Sequence, residues 1–164
     1  MVSKIVLAWA VMAGCVVIHA AGVVSAMRWL DRPRIAADGF WRRTLVFVRL
    51  AGWIVLLHMF EIGAWAVFYV LQRAMPDVQS ALYFSAVTYT TTGYGDLLLA
   101  PQWRLAGAVE ALTGILMCGW STGFFVAAFG RVVGARTTVR DRRSPRRSPP
   151  EDGRSRIATQ PPPA

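Results

Sequence analysis

The chain has 164 residues, of which 55% are hydrophobic and 16% charged, with a mean hydropathy of +0.41. A water-soluble domain of this length would carry about 25% charged residues, so a soluble single domain is excluded. The net charge is +9 and unevenly placed, with nine Arg against three acids in residues 131–164; Cys15 and Cys118 both lie in apolar runs, which excludes a disulfide framework.

Residues 5–27 contain no Asp, Glu, Lys or Arg, and about 20 such residues suffice for a helix to cross a bilayer. The run is longer than the roughly 7–15 residues of a signal-peptide core, so it reads as a retained anchor. The loop 28–43 carries Arg28, Arg32, Arg34, Arg42 and Arg43 against Asp31 and Asp38. A second span, 45–71, includes Arg49, His58 and Glu61. Residues 78–90 are apolar and aromatic but too short to cross, the length of a re-entrant helix. Pro76 and Asp77 suit the opening of that helix, with Asp77 expected in its first turn. The third span, 105–129, is interrupted only by Glu110. From Arg131 onward the chain is rich in Pro, Arg and Ser and is expected to be disordered. The excess of Arg in the 28–43 loop and the tail predicts that both are cytoplasmic, with the N-terminus and segment 72–104 outside. Three units follow: 1–44 (anchor and basic loop), 45–130, and the tail 131–164.

Directly after the short helix stands Thr90-Thr91-Thr92-Gly93-Tyr94-Gly95-Asp96, preceded by Tyr83-Phe84-Ser85-Ala86-Val87-Thr88-Tyr89 and followed by Trp103-Arg104. This pattern resembles the selectivity filter, pore helix and inner-helix start of the pore-loop potassium channel family, over roughly residues 45–130. The resemblance implies an all-α membrane protein with three transmembrane helices, a re-entrant pore helix, a filter loop and a tetrameric pore. A pore that strips K⁺ of water must offer rings of carbonyl oxygens. Gly93 and Gly95 can take the backbone angles this needs at little cost. The expected K⁺ ligands come from Thr91, Thr92, Gly93 and Tyr94, with Gly95 completing the strip. Thr90, Asp96, Tyr83 and Phe84 are expected to support it, with Tyr94 packing on Tyr83 and Phe84. Thr92 departs from the family's usual Val or Ile; its hydroxyl needs a partner and is expected to find one toward the pore helix.

Alignment on Trp103-Arg104 puts Gly114 at the family's hinge glycine. Ile115, Cys118, Thr122 and Val126 then share one helix face and are expected to line the cavity, with Val126 near a constriction. Gly119 and Gly123 fit a hinge or close helix packing equally well. His58, Glu61 and Glu110 are ionisable groups within spans and stand as candidates for a proton-sensitive site behind the filter. The competing reading, that the carboxylates hold pore-helix hydroxyls or a neighbouring helix, carries more weight. His58 and Glu61 alone are too few ligands for a closed structural zinc site, and His19 reads as a packing residue or an interfacial contact rather than a ligand.

The expected function is passive, potassium-selective conduction by a homotetramer in a bacterial plasma membrane. K⁺ is the permeant ion and no cofactor is implied. The basic tail is expected on anionic headgroups, since no folded nucleic-acid reader accompanies it. The rivals are a non-selective cation channel and a non-conducting regulatory subunit. An enzyme is disfavoured because no nucleophile–base pair or metal-ligand cluster stands outside the apolar runs.

Overall fold

The structure, a computed structural model, describes the backbone of residues 2–32 and 39–143 and the side chains of residues 3–32 and 39–132. Among the described residues four helices follow in chain order: α1 (Val2–Leu30), α2 (Phe40–Leu71), α3 (Val78–Tyr89) and α4 (Arg104–Arg143), with a 3-10 turn at Pro101–Trp103 before α4. No strand occurs among the described residues. Three of these helices are long and apolar enough to cross a membrane. At 1.5 Å per residue α1 is about 44 Å long and α3 only about 18 Å, so α3 cannot cross the ~30 Å hydrocarbon core.

The first two spans run further than their apolar cores. Arg28 lies in α1, and Arg42 and Arg43 lie in α2. Arg34 and Asp38 of the basic loop fall outside the described residues. The tail departs from expectation more clearly: α4 continues through Arg131 as far as Arg143. No proline occurs between 131 and 143, so nothing in that stretch interrupts a helix. The remainder of the expected disordered tail, 144–164, lies outside the described residues.

The bundle is arranged by stripes at helical spacing. On α2 the buried positions Val46, Leu50, Ile54, Leu57, Glu61, Trp65 and Phe68 recur every three or four residues and form a single inward line. Against it α1 presents small residues: a Cβ on Gly22 would come within 2.4 Å of Leu57, and the Trp53 indole donates to the Gly22 carbonyl at 3.0 Å. Small residues allow such close approach where lipid offers no hydrophobic drive for association. At one end of the bundle, the Lys4 ammonium lies 4.0 Å from the Trp103 ring centroid. At the other, Arg131 stands 3.8 Å from Asp31. The start of α1 therefore shares an end of the bundle with the start of α4.

Helix α3 is wedged between α2 and α4. Asp77 is its N-cap rather than a first-turn residue: its carboxylate accepts from the Ser80 amide and the Ser80 hydroxyl, each at 2.8 Å. Those hydrogen bonds favour the ionised form and hold the Asp77 carboxyl below its usual pKa.

Candidate functional site

The segment after α3 takes its shape from the end of that helix. The amides of Thr90 and Thr91 donate to the carbonyls of Ala86 and Thr88, and those of Thr92 and Gly93 both reach the Val87 carbonyl, at 2.9 and 3.2 Å. These donors satisfy carbonyls that a helix end leaves without partners. They also turn the amide side of 90–93 toward α3. Left-handed backbone then recurs at alternate residues: Thr91 at φ 59°, Gly93 at 57° and Gly95 at 78°. Gly93 and Gly95 adopt this region without penalty, whereas for β-branched Thr91 it is strained. Strain of about 1–3 kcal/mol at a single residue persists only where its surroundings impose it.

Side chains fix the two ends of the strip. The Thr90 hydroxyl donates to the Ala86 carbonyl at 2.7 Å and lies 2.9 Å from the Thr92 hydroxyl. Having one hydrogen each, Thr90 spends its own on Ala86, so Thr92 donates to Thr90. Thr92 thus reaches α3 through Thr90 and not directly. At the far end the Tyr83 hydroxyl donates to Asp96 at 2.7 Å. Tyr94 does not pack as expected. It is 72% exposed and joins none of the ring pairs formed among the described residues, while Phe84 packs edge-on against Tyr69 at 5.3 Å. Residues 90–98 are exposed throughout, beside a groove lined by Tyr83, Phe84, Thr88 and Leu97.

Both intramembrane carboxylates are buried and hydrogen-bonded. Glu110 of α4 accepts from the Tyr69 hydroxyl of α2 at 2.7 Å and from the Ser85 hydroxyl of α3. Glu61 of α2 accepts from the Tyr89 hydroxyl at the end of α3 and from His19 Nδ1 of α1 at 2.9 Å. Each carboxylate ties α3 to a neighbouring helix. His58 Nδ1 lies 3.1 Å from the Tyr89 hydroxyl, and the Nε2 atoms of His19 and His58 each lie 3.2 Å from Ser121 Oγ of α4.

His19 is therefore fully buried among polar groups, not a mere packing residue. It brings a third ligating atom to His58 and Glu61, all within 4.8 Å of one another. The set of three still falls one short of a closed structural zinc site. Ser121 and Tyr69 carry no mark in the sequence, and Ser85 and Tyr89 stand out there only as part of the pore-helix pattern. Cys15, His19 and Gly22 stand at helical spacing, a weak sign that His19 faces inward.

On α4, Ile115, Cys118, Thr122 and Val126 form one exposed line, with Ile115 at 59% and Val126 at 70%. Gly119 and Gly123 have open space where a Cβ would be. Gly114 differs: a Cβ there would fall 1.9 Å from the Tyr89 carbonyl oxygen. Its smallness is demanded by contact with the end of α3, whatever bending it also allows.

No curated protein and no solved structure matches the chain. A family model described as ion channel matches residues 44–131. The matched stretch takes in α2 from Thr44 onward, α3, the exposed strip and the apolar part of α4, more than half of the chain. On that match, together with three helices apolar enough to span a bilayer, this membrane protein belongs to the ion channel family.

Proposed function

We propose that the chain is one subunit of a homotetrameric potassium-selective channel that conducts K⁺ passively. The observation that carries this reading is the backbone of 90–95. The amides of 90–93 turn back onto α3 and the left-handed residues alternate, a geometry suited to aiming successive carbonyls at one axis. The ion ligands are the carbonyls of Thr91, Thr92, Gly93 and Tyr94, with the Thr91 hydroxyl at the inner mouth. Helix α3 is re-entrant, and the negative end of its dipole favours a cation beneath the strip.

One strip supplies only one side of an ion. The exposure of residues 90–98 and the groove beside them favour a cyclic assembly in which Tyr94 packs against an adjoining copy. Ile115, Cys118, Thr122 and Val126 then line the cavity. The topology has the N-terminus outside and the C-terminus in the cytoplasm of a bacterial cell, with the basic tail on anionic headgroups.

The deciding measurement is the reversal potential of the purified full chain in planar bilayers, with K⁺ on one side and Na⁺ on the other. A value near the K⁺ equilibrium potential is expected. A value near zero with robust current would replace this reading with a non-selective pore, and silence across voltage and pH would favour a regulatory subunit. Thr92→Val should leave the K⁺/Na⁺ permeability ratio unchanged, because the Thr92 hydroxyl is spent on Thr90 and its carbonyl is retained. A sharply raised ratio in that variant would show that the hydroxyl loosens the strip.

A further inference from the structure

The cluster between α1, α2 and α4 is one hydrogen short. Its five contacts are His19 to Glu61, Tyr89 to Glu61, His58 to Tyr89, and each imidazole to Ser121. Two neutral imidazoles, one phenol and one serine hydroxyl supply only four hydrogens, and an ionised Glu61 supplies none. A buried carboxylate faced by two imidazoles with a hydrogen missing is a place for a cation.

We propose that His19, His58 and Glu61 bind one divalent transition-metal ion of the Zn²⁺ class, inside the bundle behind the C-terminal end of α3. Three observations favour a metal over a lone proton. The donor set, two imidazoles and a carboxylate, suits Zn²⁺ and its neighbours, whereas Mg²⁺ and Ca²⁺ require oxygen ligands. The spacing fits as well. With bonds of about 2.0–2.1 Å in a tetrahedral site, neighbouring donors stand about 3.3 Å apart. His19 Nδ1 lies 2.9 Å from Glu61 Oε1 and His58 Nδ1 3.6 Å from Oε2, so each imidazole stands near that spacing from a different oxygen of the one carboxylate.

The outer shell is the third observation. With both Nδ1 atoms on the metal, both Nε2 atoms carry hydrogen. Ser121 Oγ, 3.2 Å from each, accepts both with its two lone pairs. A group that fixes the outward nitrogen of a ligating histidine is the usual companion of a metal site. The Tyr89 hydroxyl lies beside the site, 3.1 Å from His58 Nδ1 and hydrogen-bonded to Glu61. The ion thus joins α1 and α2 directly, α3 through Tyr89 and α4 through Ser121. Binding does not depend on how the chain conducts, so it is tested without current.

The full chain, purified in lipid nanodiscs and stripped with a chelator, is titrated with CoCl₂ and followed by visible d–d absorption. The expected result is a band of tetrahedral intensity that saturates at one Co²⁺ per chain. ZnCl₂ should displace it and equal MgCl₂ should not. His19→Gln, His58→Gln and Glu61→Gln should each weaken Co²⁺ binding by at least the ~10–100-fold that loss of an outer-shell partner costs. Asp31→Asn, at an exposed carboxylate beside Arg131, should leave it unchanged. A missing saturable band in the wild type means that the cluster takes up only a proton and overturns the proposal. Affinity unchanged in folded glutamine variants, or lost in Asp31→Asn, also overturns it. If the glutamine variants do not fold, stoichiometric binding by the wild type and by Asp31→Asn decides the question.

Discussion

Replacing Gly93 by alanine is expected to abolish potassium-selective current while leaving the bundle folded. Gly93 has φ 57°, and a Cβ there would meet nothing within 4 Å, so the loss does not come from a clash inside the chain. It comes from the backbone, because an L-residue in the left-handed region costs about 1–2 kcal/mol. In the proposed four-fold ring the cost would recur in every strip, about 4–8 kcal/mol per pore, enough to make a different backbone the stable one. Thr91 already holds a strained φ of 59° beside it, which leaves the strip little reserve. The measurement is the reversal potential under opposed K⁺ and Na⁺, expected to collapse toward zero or to vanish with the current. Gly119→Ala adds a methyl in open space on α4, and in that variant selectivity should survive. If Gly93→Ala conducted with unchanged selectivity, the left-handed backbone at 93 would have no part in conduction.

Much of this arrangement is legible along the chain because it is set by local or one-dimensional rules. The spans follow from the length of apolar runs. The short helix follows from an apolar segment bounded by Pro76-Asp77 and the Thr-Gly strip. What the residues conceal is decided by register between helices. His19 meets Glu61 forty-two positions away only because the small face of α1 settles onto α2 at Gly22 and Leu57. From sequence a lone histidine in an apolar run carries no sign of that neighbour. Gly114 illustrates the same limit: alignment marks it as a hinge, but its contact with the Tyr89 carbonyl appears only when α3 and α4 are packed together. Tyr94 marks a third limit, because its expected partners in the same chain are engaged with Asp96 and Tyr69. The helical stretch 131–143 was hidden by composition, since a run of Arg reads as tail although nothing before Pro145 forbids a helix.

The contact at Gly114 leads to the second large effect. A methyl on residue 114 would lie 1.9 Å from the Tyr89 carbonyl oxygen, 2.8 Å from its carbon and 3.2 Å from its Cα. All three are backbone atoms near the end of α3, so no side chain can rotate aside. Relief requires α3 and α4 to separate by more than an ångström. Overpacking in a tight core usually costs about 1–3 kcal/mol, and here the high end or beyond is expected because only helix displacement relieves it. The penalty is opposed by less than about 1 kcal/mol of alanine's better helix propensity. Displacement at Tyr89 would also pull on Glu61 and on Thr90, the first residue of the strip. Gly114→Ala should therefore lower the thermal stability of the purified chain, read by size-exclusion after heating, and remove selective current together with it. Gly123→Ala, with open space at its Cβ, should do neither. Wild-type stability and current in Gly114→Ala would mean that α3 and α4 do not approach at this point. Parallel losses would mean that the strip and the bundle are held by one contact between backbones.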